Sequence, residues 1–145
     1  MKKRPIIALL TDFGNKDGFV GTVKGVIKSI NPEAEIIDIS HEIDSFDILE
    51  ASLVLNASYK YFPQKTIFVC VVDPGVGTER KSIIVETEKY IFVSPDNGLL
   101  SLPLKKERIQ KIIEITNNKY QLSRDNETFH GRDIYYFSFR IYRFN

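Results

Sequence analysis

The chain is 145 residues long, with 20 Lys plus Arg against 19 Asp plus Glu and a formal net charge of +1. A composition of 43% hydrophobic and 27% charged residues can bury a core, so global disorder is excluded and one domain is expected. The balanced charge argues against a dedicated nucleic-acid binder, and the single cysteine, Cys70, leaves no disulfide framework or multi-cysteine zinc site.

The basic start Met1-Lys2-Lys3-Arg4-Pro5 leads into the apolar run Ile6 to Leu10, which meets Asp12 at once. That run is too short for a signal segment or a membrane span, so a cytoplasmic protein is expected. It suits a strand buried on both faces, as in a parallel sheet. Thr11-Asp12-Phe13-Gly14 is a polar turn, and Phe19, Val23, Val26, Ile27 and Ile30 then follow at helical spacing until Asn31-Pro32. Residues 35–39 read as a second strand. Ser45 is expected to cap a helix from about Phe46 to Tyr61, with Ile48, Leu49, Ser52, Leu53 and Ala57 toward the core. Thr66 to Val72 is the clearest buried strand, running straight into Asp73-Pro74-Gly75-Val76-Gly77. Strands are expected at 82–85 and 90–93 around a turn at Glu88-Lys89, then a turn at Pro95-Asp96-Asn97-Gly98 and a strand at 111–115. Alternating strands and helices with two-sided apolar strands predict an α/β domain.

In such sheets ligands gather outside the carboxyl ends of the strands, where Asp12 and Asp73 both fall. Asp12 reads either as a turn-former or as a carboxylate able to accept both hydroxyls of a ribose. Asp17 reads as an acid beside a helix N-terminus. Asp73 before Pro74 reads as a turn starter. Gly75-Val76-Gly77 lacks the lysine of a Walker loop and the third glycine of a dinucleotide fingerprint. The Asp12-Phe13-Gly14 match to protein kinases fails, since no HRD segment exists. Arg80 reads as a solvated loop charge, and His41 and His130 as structural histidines. His41-Glu42 beside Asp38 and Asp44 fits no strong metal signature. Cys70 reads as a small buried hydrophobe.

Taken in order, LLTDFGNKDGFVGTVKGVI, IIDISHEI, YFPQKTIFVCVVDPGVGTER, FVSPDNGLLS and FHGRD resemble the S-adenosyl-L-methionine (SAM) hydroxide adenosyltransferases, or SAM hydrolases, relatives of the fluorinating and chlorinating adenosyltransferases. The resemblance runs from about Ile6 to Asp133. It implies a three-layer α/β/α N-terminal domain with a mostly parallel sheet, followed by a smaller β-rich domain. It also implies a homotrimer, with SAM between the N-terminal domain of one subunit and the C-terminal domain of the next. The implied reaction is attack of water or hydroxide on C5′ of SAM, giving adenosine and methionine. SAM is then the substrate, with no cofactor, no metal, and neither nucleic acid nor membrane as partner. By motif match, Asp73, Arg80 and His130 surround the water, Asp12 holds the ribose hydroxyls, and Asp17 lies near the methionine amino group. Asn97 lines the pocket. The halogenating relatives lack the complete Asp–Arg–His set, and a carboxylate at Asp73 would repel a halide.

After Asp133 the family pattern stops. Tyr135, Tyr136, Phe137, Phe139, Tyr142 and Phe144 crowd the last stretch, against 12% aromatic residues overall. The expectation is therefore a domain over 1–133 and an aberrant tail over 134–145 produced by a frameshift or truncation. On that reading the C-terminal β-rich domain is absent and activity is impaired. The competing readings are a SAM- or adenosine-binding module without turnover, a chlorinase-like enzyme, and a metal-dependent hydrolase using His41, His130 and nearby aspartates.

Overall fold

A computed structural model describes residues 4–75 and 81–115. In chain order the elements are β1 (Ile6–Thr11), α1 (Phe19–Ile30), β2 (Glu35–Ser40) and α2 (Ile48–Ser58), which closes in a 3-10 turn, Tyr59–Tyr61. Then come β3 (Ile67–Val71), β4 (Ser82–Thr87), β5 (Ile91–Pro95), α3 (Ser101–Leu104) and β6 (Ile109–Glu114). The strands form one six-stranded sheet in the order β2-β1-β3-β5-β4-β6. β1 pairs in parallel with β2 and β3, and β3 in parallel with β5. β4 runs antiparallel to both β5 and β6.

The two-sided apolar strands dictate three layers. Ala8, Leu10, Phe68, Cys70, Val72 and Phe92 pack on one face with Ala51 and Leu55 of α2 and Leu104 of α3. Their strand neighbours Ile7, Leu9, Val69, Val71 and Val93 pack on the other with Val23 and Ile27 of α1. Alternation along each strand sends successive side chains to opposite faces, so a continuous apolar run needs cover on both sides. The expected α/β/α layering with a mostly parallel sheet is the one observed. Cys70 is fully buried, and that burial pushes its thiol well above the ordinary range.

The second helix differs from expectation in two respects. Asp47, not Ser45, is its N-cap, with Oδ1 accepting the Glu50 N–H at 2.9 Å. Phe46 cannot be helical because it sits at φ +64, and its N–H is turned toward Asp12. The buried face is Ala51, Ser52, Leu55 and Tyr59, with Ile48 partly buried, whereas Leu49, Leu53 and Ala57 are exposed. The helix is apolar on most sides, so spacing alone did not single out one face.

Tyr59 anchors the aromatic part of the core. Its ring meets Phe68, Tyr90 and Phe92 edge to face, with centroids 6.2, 5.5 and 5.7 Å away. Its hydroxyl donates to Glu107 at 3.1 Å. Burial, then the Glu107 hydrogen bond and charge, push the Tyr59 phenol up to about 12. Between the ordinary value of 10.0 and about 12 the unfolded chain loses a proton that the folded chain keeps, so stability falls as pH rises through that window. Urea titrations across this range should show the fall. Tyr59→Phe should reduce its slope, leaving a smaller contribution in the same direction from Tyr90, whose phenol burial also raises. No helix among the described residues is long and apolar enough to cross a membrane.

Candidate active site

The order of the strands creates the site. The chain steps from β1 outward to β2, then returns past β1 to β3. Right-handed crossovers in opposite directions place α1 and α2 on opposite faces. The loops leaving β1 and β3 therefore diverge, and a crevice opens outside their carboxyl ends. Thr11 and Val71 are register partners at that end. Asp12 follows Thr11, and Asp73 lies just past Val71, so the two carboxylates predicted from sequence leave neighbouring strands on the same edge. β5 is parallel to β3, and it delivers the Pro95–Gly98 turn to that edge as well.

Asp12 is half-buried, and its Oδ2 accepts the Phe46 N–H at 2.8 Å. Oδ1 has no donor among the described residues, so it can take a further hydroxyl. Asp73 is 5% exposed, and its Oδ1 accepts the Gly75 N–H at 3.1 Å. Two carboxylates at one crevice favour a cationic ligand and disfavour an anionic one. Asn97 is tied in from the side: Nδ2 donates to the Val72 carbonyl at 2.9 Å and Oδ1 accepts the Leu99 N–H at 3.2 Å. Its amide thus braces the turn against the end of β3, next to Asp73. Gly98, at φ +92, completes that turn in a conformation that favours glycine. Asp17 sits on the exposed turn before α1, with Oδ1 accepting the Phe19 N–H at 3.1 Å, which matches the reading of an acid at a helix start. Arg80, His130 and the stretch 134–145 lie outside the described residues.

Sequence reasoning set aside one residue that the fold brings to this edge. His41, 3% exposed, follows β2 and lies against the end of β1. Its Nδ1 is 2.7 Å from Thr11 Oγ1 and its Nε2 is 2.8 Å from Asp38 Oδ1. Lys24 of α1 reaches the other oxygen of Asp38 at 2.6 Å. Burial alone would raise the Asp38 carboxyl, but hydrogen bonds from Lys24 and His41, with positive charge beside it, hold it below its ordinary value. With both ring nitrogens engaged, His41 offers no lone pair for a metal. The acidic group that does come together among the described residues, Asp44, Asp47 and Glu50, is occupied with starting α2. Asp47 caps Glu50, and Glu50 Oε2 accepts the Asp44 N–H at 3.2 Å.

Two carboxylates and an amide-braced turn gather at one end of the sheet, and the sequence around them matches one family. The model of the SAM hydroxide adenosyltransferase N-terminal domain fits residues 7–139. The chain belongs to this family. The five motifs that suggested it fall on β1, its loop and α1, on β2 and its loop, on β3 and the residues around it, on β5 and its turn, and on the FHGRD segment; Val76 to Arg80 of the third and all of the fifth lie beyond the described residues. Among relatives, the (R)-S-adenosyl-L-methionine hydrolase of Methanocaldococcus jannaschii is 47% identical over 135 residues, covering 90% of this chain and 50% of that protein. The protein of the same name from Salinispora arenicola is 37% identical over 136 residues, covering 93% and 52%. A fluorinase from an Actinoplanes species is more distant, at 26% over 153 residues, covering 90% and 51%. A crystal structure of an uncharacterized conserved protein from Thermotoga maritima superposes with a TM-score of 0.86 at 46% identity, covering 90% of this chain and 51% of that one. This SAM hydroxide adenosyltransferase domain spans about half the length of the curated relatives it matches.

Proposed function

We propose that this domain supplies the ribose-holding and water-positioning half of a SAM hydrolase site, in a cytoplasmic homotrimer. The observation that carries the reading is the pair Asp12 and Asp73 at neighbouring strand ends of a chain 47% identical to a curated (R)-SAM hydrolase. That relative's name further suggests the R sulfonium epimer as the substrate. Metal-dependent hydrolysis through His41 has no support, because its ring is already committed to Thr11 and Asp38.

The chemistry needs little from an acid. Water attacks C5′, the C5′–S bond breaks, and its electron pair neutralises the sulfonium, so methionine leaves as an uncharged thioether centre. The difficulty lies with water, which must be positioned and must lose a proton. Asp73 orients the water and Arg80. Arg80 stabilises developing hydroxide charge while keeping its own protons. His130 accepts or relays the proton. Asp12 accepts the ribose hydroxyls, Asp17 meets the methionine ammonium, and Asn97 keeps the Pro95–Gly98 turn against Asp73. A halide nucleophile would meet the carboxylate of Asp73, which favours hydroxide chemistry over the halogenation named for the more distant fluorinases.

The deciding experiment is mass spectrometry of products after incubation of the chain with (R)-SAM, with and without chloride. Adenosine and methionine in equal amounts, independent of chloride and formed at the low rate that half of a site would give, are expected. Chloride-dependent 5′-chloro-5′-deoxyadenosine would replace hydrolysis by chlorination. Saturable SAM binding without adenosine would make the domain a binding module. In an active preparation, His130→Ala should slow turnover by about 10²–10⁴-fold with little change in SAM affinity, as expected on removing a general base.

A further inference from the structure

The loop that carries Asp12 is bonded on both sides of that residue to one residue of the neighbouring loop. Asp12 lies between Thr11 and Gly14, and both of these bond to His41. The Thr11 hydroxyl meets the imidazole Nδ1 at 2.7 Å. The Gly14 N–H, from a residue at φ +73, donates to the His41 carbonyl at 2.7 Å. The Phe46 N–H, five residues beyond His41 in the same loop, then reaches Asp12 itself. Asn15 Nδ2 donates to Glu42 Oε1 at 3.2 Å and closes the seam on its exposed side.

We infer that His41 is the positioning residue for Asp12, its ring and carbonyl fixing the turn on both sides of the ribose-binding carboxylate. The inference rests on the reading of Asp12 given above. A carboxylate only accepts, so in the neutral ring Asp38 selects the tautomer with hydrogen on Nε2. Nδ1 then accepts from Thr11, whose oxygen accepts the Phe13 N–H at 3.2 Å. Every donor along Phe13, Thr11, His41 and Asp38 meets an acceptor. Lys24 holds the far end of the chain and ties α1, which the Asp12 loop leads into, to β2. Thr11 and His41 are 4% and 3% exposed, so water cannot replace a lost partner readily. The cause is register: Leu10 pairs with Ser40, which brings the residues after each strand side by side.

The test is Thr11→Val, which keeps the shape and removes the hydroxyl, with Thr11→Ser as the conservative control. Two readouts are taken on the whole chain. The first is amide exchange at Phe13, Gly14 and Phe46. The second is the ratio of affinities, by calorimetry, for SAM and its 2′-deoxyribose analogue. Thr11→Val should lower the affinity ratio about 10-fold, the effect of weakening one charge-assisted hydrogen bond. It should also speed exchange at Phe46 while the amides of β3 stay protected, and Thr11→Ser should restore both. In the unaltered chain the three loop amides should exchange as one unit, which tests the inference even if Thr11→Val does not fold. Independent exchange of the three, or a folded Thr11→Val with unchanged ratio and unchanged Phe46 exchange, would overturn the role of His41. If Asp12→Ala leaves the ratio intact, the ribose reading fails instead, and the exchange data alone then judge His41.

Discussion

Asp12→Ala is expected to weaken SAM binding by about 10- to 100-fold, since hydrogen bonds to a charged acceptor contribute roughly 1.5–3 kcal/mol each. Asp12 follows the last residue of β1, one oxygen is fixed by the Phe46 N–H, and the other has no donor among the described residues. On the proposed reading, removing the carboxylate deletes the acceptor for the ribose diol and one of the negative charges that draw a sulfonium to the site. Calorimetry with SAM and with its 2′-deoxy analogue separates the two effects. The charge effect weakens both ligands alike, whereas loss of the diol acceptor weakens SAM more. Equal binding of SAM by the variant and the unaltered chain would remove Asp12 from the site. A folded variant is expected, because Asp12 contributes to loop placement and not to either core.

The largest stability effect is expected at Phe68. Its side chain is completely buried on β3. It stacks on Phe92 at 5.2 Å with rings 18° apart and meets Phe62 and Tyr90 edge to face at 5.2 and 5.4 Å. Phe68→Ala leaves a cavity walled by four other rings, those three and Tyr59, with Tyr90 fixed by its hydroxyl donating to the Phe62 carbonyl at 2.8 Å. The site cannot collapse cheaply, so a loss of about 3–5 kcal/mol is expected. Against a total stability of about 5–15 kcal/mol for a domain of this kind, that shift should move the urea midpoint far toward zero. A loss under about 1 kcal/mol would mean that the aromatic cluster repacks, contrary to the rigidity expected of interdigitated rings.

The two expectations differ in how they could be reached. Phe68 stood in an unbroken apolar run, and its burial was readable at once. Asp12 was readable as a candidate because a polar turn follows a two-sided apolar strand. The same logic found Asp73. Asn97 was found as part of a turn motif, but its amide turns out to be engaged at both ends, which no local pattern could foretell. His41 was read as a structural histidine, and it is buried and fully bonded as that reading requires. What sequence could not supply was its partner: Thr11 is 30 positions away, and only the pairing of β1 with β2 makes them neighbours. The start of α2 was misread for a related reason. Ser45 is a good capping residue in isolation, but Phe46 is held at φ +64 with its N–H committed to Asp12, so the helix begins only after Asp47.

The sequence by itself determined the layers, the family, and the two acidic strand ends, because hydrophobic periodicity and motif order are local properties that survive without coordinates. Tertiary structure decided the order of the strands, the face of α2 that is buried, and the lacing of the two crossover loops through His41. Those depend on which strands pair and in what register, and hydrogen bonds between residues distant in the chain leave no periodic trace in it.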